Sequence, residues 1–181
     1  SLLVNLRFVV PREQPLRLVV TSAGVDEGKT VTAVNLAVVL AEGGRRTALV
    51  EGDLRRPTFS RILGTRRTPG LSEVLLGDAP LDEAFQEGLV PHLTVLTAGR
   101  VPPNPMDLLS RPAIERVMQA LSGRFDVGIV DSPPVLPVSD ALVLSALVLV
   151  LNPLIVMSVM ALMGYKKKTS FQTGSSFTQI S

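Results

Sequence analysis

The stretch Val19-Val20-Thr21-Ser22-Ala23-Gly24-Val25-Asp26-Glu27-Gly28-Lys29-Thr30 decides the fold. It begins with a β-branched run, breaks at small residues and ends in Gly-Lys-Thr, and the apolar segment 31–40 has room for three turns of helix. A strand, a glycine-bearing loop, Gly-Lys-Thr and a helix form the usual context of a phosphate-binding P-loop, whose backbone N–H groups face the anion. The residues expected to contact a nucleotide are Gly24, Val25, Asp26, Glu27, Gly28, Lys29, Thr30 and Val31.

Within this loop the residue types suit a triphosphate. Gly28 lets the backbone approach the phosphates, and the helix that follows directs its positive end toward them. Lys29 is expected to reach the β- and γ-phosphates, and the Thr30 hydroxyl is expected to ligate Mg²⁺. The full P-loop pattern has glycine where Ala23 stands. The alternative is a chance Gly-Lys-Thr before an apolar helix, which the preceding strand disfavours.

Composition excludes several classes of site. At 181 residues the chain is expected to form one domain with a sizeable core. It contains no cysteine, so disulfide frameworks and thiolate metal sites are excluded, and His92 is its only histidine. The formal net charge of +2 is too small to argue for a nucleic-acid partner, and none is expected.

The rest of the chain alternates segments of strand and helix character. Strands are predicted over 17–21, 47–50, 93–96 and 125–130, and helices over 29–42, 70–77, 106–109 and 113–121, with another amphipathic segment over 81–86. This α/β order predicts a parallel sheet flanked by helices. Ligands of such sheets bind at the carboxyl ends of the strands.

Three acidic residues follow predicted strands. Asp131 closes an apolar strand and is predicted to hold Mg²⁺, although an aspartate that begins a turn would look the same. Glu51 and Asp53 stand two residues apart, so one could bind the metal while the other accepts a proton from an incoming hydroxyl. The alternative is a solvated loop whose acids pair with Arg55 and Arg56, and composition does not decide between the two.

Four ordered motifs resemble the cytoplasmic domain of the bacterial tyrosine kinases (BY-kinases) that accompany capsule and exopolysaccharide export. Residues 21–30 resemble its Walker A motif, 50–57 its Walker A′ motif, and 125–140, FDVGIVDSPPVLPVSD, its Walker B motif. The segment 99–109, GRVPPNPMDLL, resembles a linker typical of the family. With Asn5-Leu6-Arg7-Phe8, the resemblance covers roughly residues 5–150.

The resemblance implies a P-loop NTPase fold and tyrosine autophosphorylation from ATP and Mg²⁺. Lys29 and Thr30 would hold phosphate and metal, and Asp53 and Asp131 would serve the metal. Glu51 stands where the family usually has an aspartate proposed to deprotonate tyrosine, and Asp26 replaces a usual glycine. Both departures are expected to affect catalysis, because small positional errors are expensive in such sites.

The resemblance also implies an acceptor and partners. Family members carry a tyrosine-rich C-terminal tail, whereas Tyr165 is the only tyrosine here and therefore the candidate acceptor. A membrane-bound polysaccharide co-polymerase would act as activator, which places the domain in the cytoplasm, at the inner face of the bacterial plasma membrane. The family also includes ring-forming kinases, which leaves a homo-oligomer open.

Two other functions stay open on the sequence. A partitioning or positioning ATPase would carry a lysine four residues ahead of Gly28, where Gly24 stands, and this disfavours that class. A nucleotide-binding interaction module without catalysis would follow if Glu51, Asp26 and the unusual C-terminal part abolished transfer. No Asn-Lys-x-Asp motif appears, so a GTPase is not expected.

The C-terminal part departs from the family pattern. We predict a kinase domain over residues 1–150 and a divergent apolar segment with a disordered polar tail over 151–181. The apolar stretch 141–164 is long enough to cross a membrane, but a buried strand around 147–151 is preferred, because the cluster 166–168 and the ATP site would otherwise lie on opposite sides. A fragment or a shifted reading frame would explain the break and leave the fold incomplete at its C-terminus.

Overall fold

The computed structural model describes residues 15–22, 24–109 and 112–134 of the chain. Its centre is a five-stranded sheet with the strand order β1-β5-β2-β4-β3. The strands are β1 (Leu16–Val20), β2 (Thr47–Glu51), β3 (Phe85–Glu87), β4 (Leu93–Leu96) and β5 (Val127–Asp131). The helices are α1 (Lys29–Glu42), α2 (Phe59–Leu63), α3 (Leu71–Leu76), α4 (Leu81–Ala84), α5 (Pro105–Leu109) and α6 (Pro112–Arg124).

Alternating side chains of the strands divide the core into two layers. Leu49 and Ile129 pack with α1 and with Phe59 of α2 on one face of the sheet. Val50 and Val130, one residue along each strand, pack on the opposite face with α3, α5 and α6. This period of two is the geometry of a strand that is buried on both sides, and it covers the sheet with helices on both faces.

The register of the parallel strands brings three strand ends to one edge. Val20 of β1 and Glu51 of β2 are both aligned with Asp131 of β5. The P-loop follows β1, so the phosphate-binding segment and the two acidic strand ends share the carboxyl edge of the sheet. This is the feature of the fold that positions the site.

The predicted α/β architecture is confirmed, with one addition at the edge. Four strands are parallel as predicted, whereas β3 pairs antiparallel with β4. The segment 81–86 was expected to be one amphipathic stretch, but it divides into α4 and the start of β3. Phe85 leaves α4 with an extended backbone and packs edge-on against Phe125, with ring centroids 5.5 Å apart.

Several sequence-based expectations lie outside the described residues. These are the resemblance over 5–8, the end of the Walker B stretch after residue 134, the domain boundary at 150, the apolar stretch 141–164, and Tyr165. Among the residues that the structure does describe, no helix combines the length and the apolar character that crossing a membrane requires.

Candidate nucleotide and metal site

The P-loop has the backbone geometry that phosphate binding needs. Gly28 precedes α1 with φ 78°, in the left-handed region where glycine is favoured. Its carbonyl accepts hydrogen bonds from the backbone N–H of Thr32 at 2.9 Å and from the Thr32 hydroxyl at 3.0 Å. The loop therefore passes directly into α1, whose first N–H groups point toward the space an anion would occupy.

Two acidic residues stand in the loop. Asp26 is exposed and has φ 58°, which is a left-handed conformation. The glycine that the family usually has at this position would adopt it without strain. The Glu27 side chain folds back toward Gly24, where an added Cβ would lie 2.9 Å from its Oε1. The Ser22 hydroxyl donates to the Gly24 carbonyl at 2.6 Å and tightens the beginning of the loop.

Thr30 and Asp131 are in direct contact at the centre of the site. The Thr30 hydroxyl donates to Asp131 Oδ2 at 2.7 Å, although the two residues are 101 positions apart. Asp131 is 1% exposed, and its Oδ1 is buried without a hydrogen-bond partner. A buried carboxylate oxygen without a partner is costly, and a hydrated cation would satisfy it.

The protonation of Asp131 reflects this burial. Burial raises the pKa of Asp131 from its ordinary value of 3.8 to about 6. The hydrogen bond from Thr30 and the positive charge of Lys29 oppose that rise, whereas the carboxylates of Asp53 and Glu51 add to it. Lys29, Asp53, Glu51 and Asp131 are therefore close enough to interact electrostatically.

Asp53 lies in the turn that follows β2. It is 9% exposed, and its Oδ1 accepts hydrogen bonds from the backbone N–H of Arg55 at 3.1 Å and of Arg56 at 3.0 Å. The preceding residue, Gly52, donates its N–H to the Asp131 carbonyl at 2.7 Å. The turn is thus attached to the end of β5, and it brings Asp53 to the same edge as Asp131.

Glu51 shares this edge, but its carboxylate is occupied by the backbone. Its Oε1 accepts from the N–H of Thr58 and, at 2.7 Å, from the N–H of Phe59, while Oε2 accepts from the N–H of Ala98 at 2.9 Å. Burial raises the pKa of the Glu51 carboxyl, and the three N–H groups oppose the rise. The role predicted for Glu51 as proton acceptor stays a prediction.

Hydrogen bonds that the sequence did not indicate join the P-loop strand to the segment after β5. The Ser132 hydroxyl and N–H both donate to the Val20 carbonyl, at 3.2 and 3.0 Å, and the Thr21 hydroxyl donates to the Pro133 carbonyl at 3.0 Å. These bonds attach the segment after β5 to the end of β1, where the P-loop begins. The sequence analysis identified Asp-Ser-Pro-Pro as part of a motif, but it did not predict these hydrogen bonds.

A second buried glutamate, Glu73, organises the segment that begins the GRVPPNPMDLL motif. Its carboxylate accepts from the N–H of Gly70 at 2.8 Å and from the N–H and Nε of Arg100 at 3.1 and 3.0 Å. These bonds outweigh the effect of burial and hold the pKa of Glu73 below its usual value. A glutamate three residues into the α3 segment is a capping signal that the sequence did contain.

The GRVPPNPMDLL motif also borders a cleft of about 350 Å³ with α3, and none of the cleft's lining residues belongs to the P-loop or the strand ends. Among the described residues there is no cluster of three or more histidine, cysteine, aspartate or glutamate side chains arranged to hold a metal. Mg²⁺ in phosphate sites uses few protein ligands and takes the rest from phosphate and water, so the pair Thr30 and Asp131 suits that ion.

Comparisons with known proteins point to one group. An AAA domain family model matches residues 21–172. Tyrosine-protein kinase YwqD of Bacillus subtilis is 39% identical over 140 residues, which are 77% of this chain and 59% of that protein. Tyrosine-protein kinase etk of Escherichia coli K12 is 34% identical over 143 residues, 79% of this chain but 20% of that protein. The chain thus spans less than two thirds of either relative.

Solved structures agree with this grouping. The kinase domain of Escherichia coli tyrosine kinase ETK superimposes with a TM-score of 0.72 at 34% identity, covering 77% of this chain and 55% of that one. The septum site-determining protein MinD from Pyrococcus horikoshii, in complex with Mg-ADP, has a TM-score of 0.58 at 29% identity, covering 66% of this chain and 49% of that one. The two similarities favour the kinase over the positioning ATPase.

Proposed function

Because the chain belongs to the AAA domain family, and within it to the P-loop tyrosine kinases of bacteria, we propose that it transfers the γ-phosphoryl group of ATP to tyrosine. The observation that carries this proposal is the contact between Thr30 and Asp131, which leaves Asp131 Oδ1 buried and without a partner beside the P-loop. Thr30 and Asp131 would hold a Mg²⁺ ion there, which would supply positive charge against the negative charge of the phosphates.

Each residue of the site has a task in this proposal. The backbone of the P-loop and Lys29 bind and orient the phosphates, since phosphoryl transfer depends chiefly on positioning and charge stabilisation. Thr30, Asp53 and Asp131 would hold the metal. Within this polypeptide Tyr165 is the only tyrosine, and we propose it as the acceptor.

The setting of the reaction follows from the motif resemblance. We propose that the domain regulates capsular or exopolysaccharide synthesis and export at the inner face of the bacterial plasma membrane. Its activator would be a membrane-bound polysaccharide co-polymerase. MinD-like partitioning is the less favoured function, because Gly24 replaces the lysine of that class.

The test is incubation with labelled ATP and Mg²⁺, followed by detection of phosphotyrosine. Wild-type protein should become labelled on tyrosine, Lys29→Ala should lose the label, and Tyr165→Phe should lose it unless a tyrosine-rich peptide is added. Arg116→Ala is a matched control, because Arg116 is an exposed cation on α6.

The outcomes separate the candidate functions. Label that survives Lys29→Ala would contradict the P-loop mechanism. ATP hydrolysis without tyrosine transfer would favour the positioning ATPase, and ATP binding without either reaction would favour a nucleotide-binding module.

A further inference from the structure

The Glu51 carboxylate is badly placed to accept a proton from a substrate. A general base needs a lone pair within hydrogen-bond reach of the proton, and a carboxylate offers about four lone-pair sites. Three of the sites on Glu51 are taken by backbone N–H groups, and the residue is 1% exposed. An incoming tyrosine would find about one lone-pair site left, on a carboxylate that is buried away from solvent.

The direction of the Glu51 side chain supports the same conclusion. Asp131 lies on β5, on one side of β2, whereas the Ala98 N–H that binds Glu51 Oε2 follows β4, on the other side. The carboxylate is therefore directed from the end of β2 toward β4. Its other oxygen serves Thr58 and Phe59 at the beginning of α2, where Thr58 provides no side-chain cap of its own.

These bonds close a loop around Asp53. The chain leaves Glu51, passes through Asp53, and returns to the Glu51 carboxylate at Thr58 and Phe59. Inside the loop Asp53 is fixed by the N–H groups of Arg55 and Arg56. If the Glu51 carboxylate loses its hydrogen bonds to the beginning of α2, the segment 52–58 is no longer held in position at its C-terminal end.

We propose that Glu51 is a positioning residue: it fixes the loop 52–58 between β2 and α2 and thereby holds Asp53 at the metal edge. The proposal rests on the proposed Mg²⁺-ATP site. It also accounts for the glutamate. An aspartate is shorter by one carbon–carbon bond, about 1.5 Å, and would not reach Phe59 and Ala98 without a backbone shift.

The test compares Glu51→Gln and Glu51→Asp with wild-type protein in two measurements. In nucleotide-free protein, hydrogen exchange at the N–H groups of Thr58, Phe59 and Ala98 should become faster in both variants, because their acceptor Glu51 is lost or withdrawn. Exchange at Arg55 and Arg56, which donate to Asp53, should become faster as well, because the loop that holds Asp53 loosens. In calorimetric titrations with a non-hydrolysable ATP analogue, Mg²⁺ should tighten binding to the variants roughly 10- to 100-fold less than to wild type. Binding without Mg²⁺ should be unchanged, since the P-loop is untouched.

Glu73→Gln is the matched control. Glu73 is also buried, accepts three hydrogen bonds and borders the segment after β4, but those bonds come from Gly70 and Arg100 rather than from the loop 52–58. Glu73→Gln should lower stability and leave the Mg²⁺ effect on binding intact. An equal loss of the Mg²⁺ effect in Glu73→Gln and Glu51→Gln would overturn the proposal. So would a Glu51 variant with wild-type exchange or a wild-type Mg²⁺ effect. Absence of any Mg²⁺ effect in wild type would instead refute the proposed function.

Discussion

At the scale of single residues, Asp26 most clearly sets this P-loop apart. It has a left-handed backbone and an exposed carboxylate in a loop that would receive a polyanion. Aspartate tolerates this conformation better than most residues, so strain is limited. Its negative charge, in contrast, repels phosphate whatever the backbone does.

Replacing Asp26 should therefore strengthen nucleotide binding. We expect Asp26→Gly to bind ATP roughly two- to fivefold more tightly, as one unit charge at loop distance contributes only about a kcal/mol in water. Stability should change by less than about 1 kcal/mol, because relief of the left-handed strain is offset by the greater unfolded-state freedom of glycine. Calorimetric titration and urea unfolding measure the two quantities.

Asp26→Asn is the control that separates charge from conformation. Asparagine also tolerates the left-handed region but carries no charge. It should reproduce the tighter binding of Asp26→Gly, and the gain should shrink at high salt. If only Asp26→Gly binds more tightly, backbone strain rather than charge limits the site.

Residue types predicted which side chains lie together where the backbone context was unambiguous. The sequence placed three residues together, namely Gly28, Thr30 and Asp131. A P-loop follows one strand, Asp131 ends another, and the parallel register of these strands brings their ends to the same edge. Glu51 could not be understood in this way. Its partners are the N–H groups of Thr58, Phe59 and Ala98, and no sequence pattern predicts which backbone N–H groups a buried carboxylate will bind.

At the scale of elements, the helices that carry their own sequence signals were predicted, including the short α3 and α5, and α2 was not. The bounds of α1 followed from Gly-Lys-Thr at one end and Gly43-Gly44 at the other. The five-residue α2 was missed, since it has no capping side chain of its own and begins where a distant glutamate binds its first N–H groups. Tertiary contacts decide such elements, not local propensity.

The connection between β4 and α5 gives a test at this scale. Gly99 has φ 84°, and an added Cβ would collide with Glu73 Oε2. Gly99→Ala should therefore add the loss of the Glu73 hydrogen bonds to the left-handed penalty of about 1–2 kcal/mol. We expect it to lower the free energy of unfolding by at least about 2 kcal/mol more than Gly77→Ala does.

Gly77→Ala is suited as the reference variant. Gly77 ends α3 with φ 85°, but nothing lies within 4 Å of a Cβ placed there. It reports the backbone penalty alone, measured by urea unfolding under the same conditions. Equal losses in the two variants would mean that Glu73 moves aside without cost and does not stabilise this connection.

At the scale of the whole molecule, the buried Asp131 couples global stability to pH and to Mg²⁺. Its pKa in the folded, metal-free protein is about 6, above the ordinary value of 3.8. The folded state therefore binds more protons than the unfolded state between these values, and stability falls as pH rises through this window. The full shift corresponds to a cost on the order of 3 kcal/mol above about pH 6.

Asp131→Asn is needed to isolate this contribution, because other carboxylates also shift on folding and some of them act in the opposite direction. The guanidinium and N–H of Arg46 lower the pKa of Asp126, and this pair favours the folded state as pH rises. Such a contribution to the pH dependence of stability is common to wild type and variant, and it cancels in the difference between them. Measured by urea unfolding in EDTA, Asp131→Asn should gain stability over wild type as pH rises from about 4 to about 7, by up to roughly 3 kcal/mol.

Mg²⁺ and ATP should reverse the order of the two proteins. A ligand that binds only the folded state stabilises it by mass action, and an ionised Asp131 beside Thr30 is the form suited to a cation. Wild type at about pH 7 should therefore gain more stability from Mg²⁺-ATP than Asp131→Asn does. If the two proteins have parallel pH profiles without metal and equal gains with it, Asp131 neither carries the ionisation cost nor holds the metal, and the site would have to be assigned to other residues.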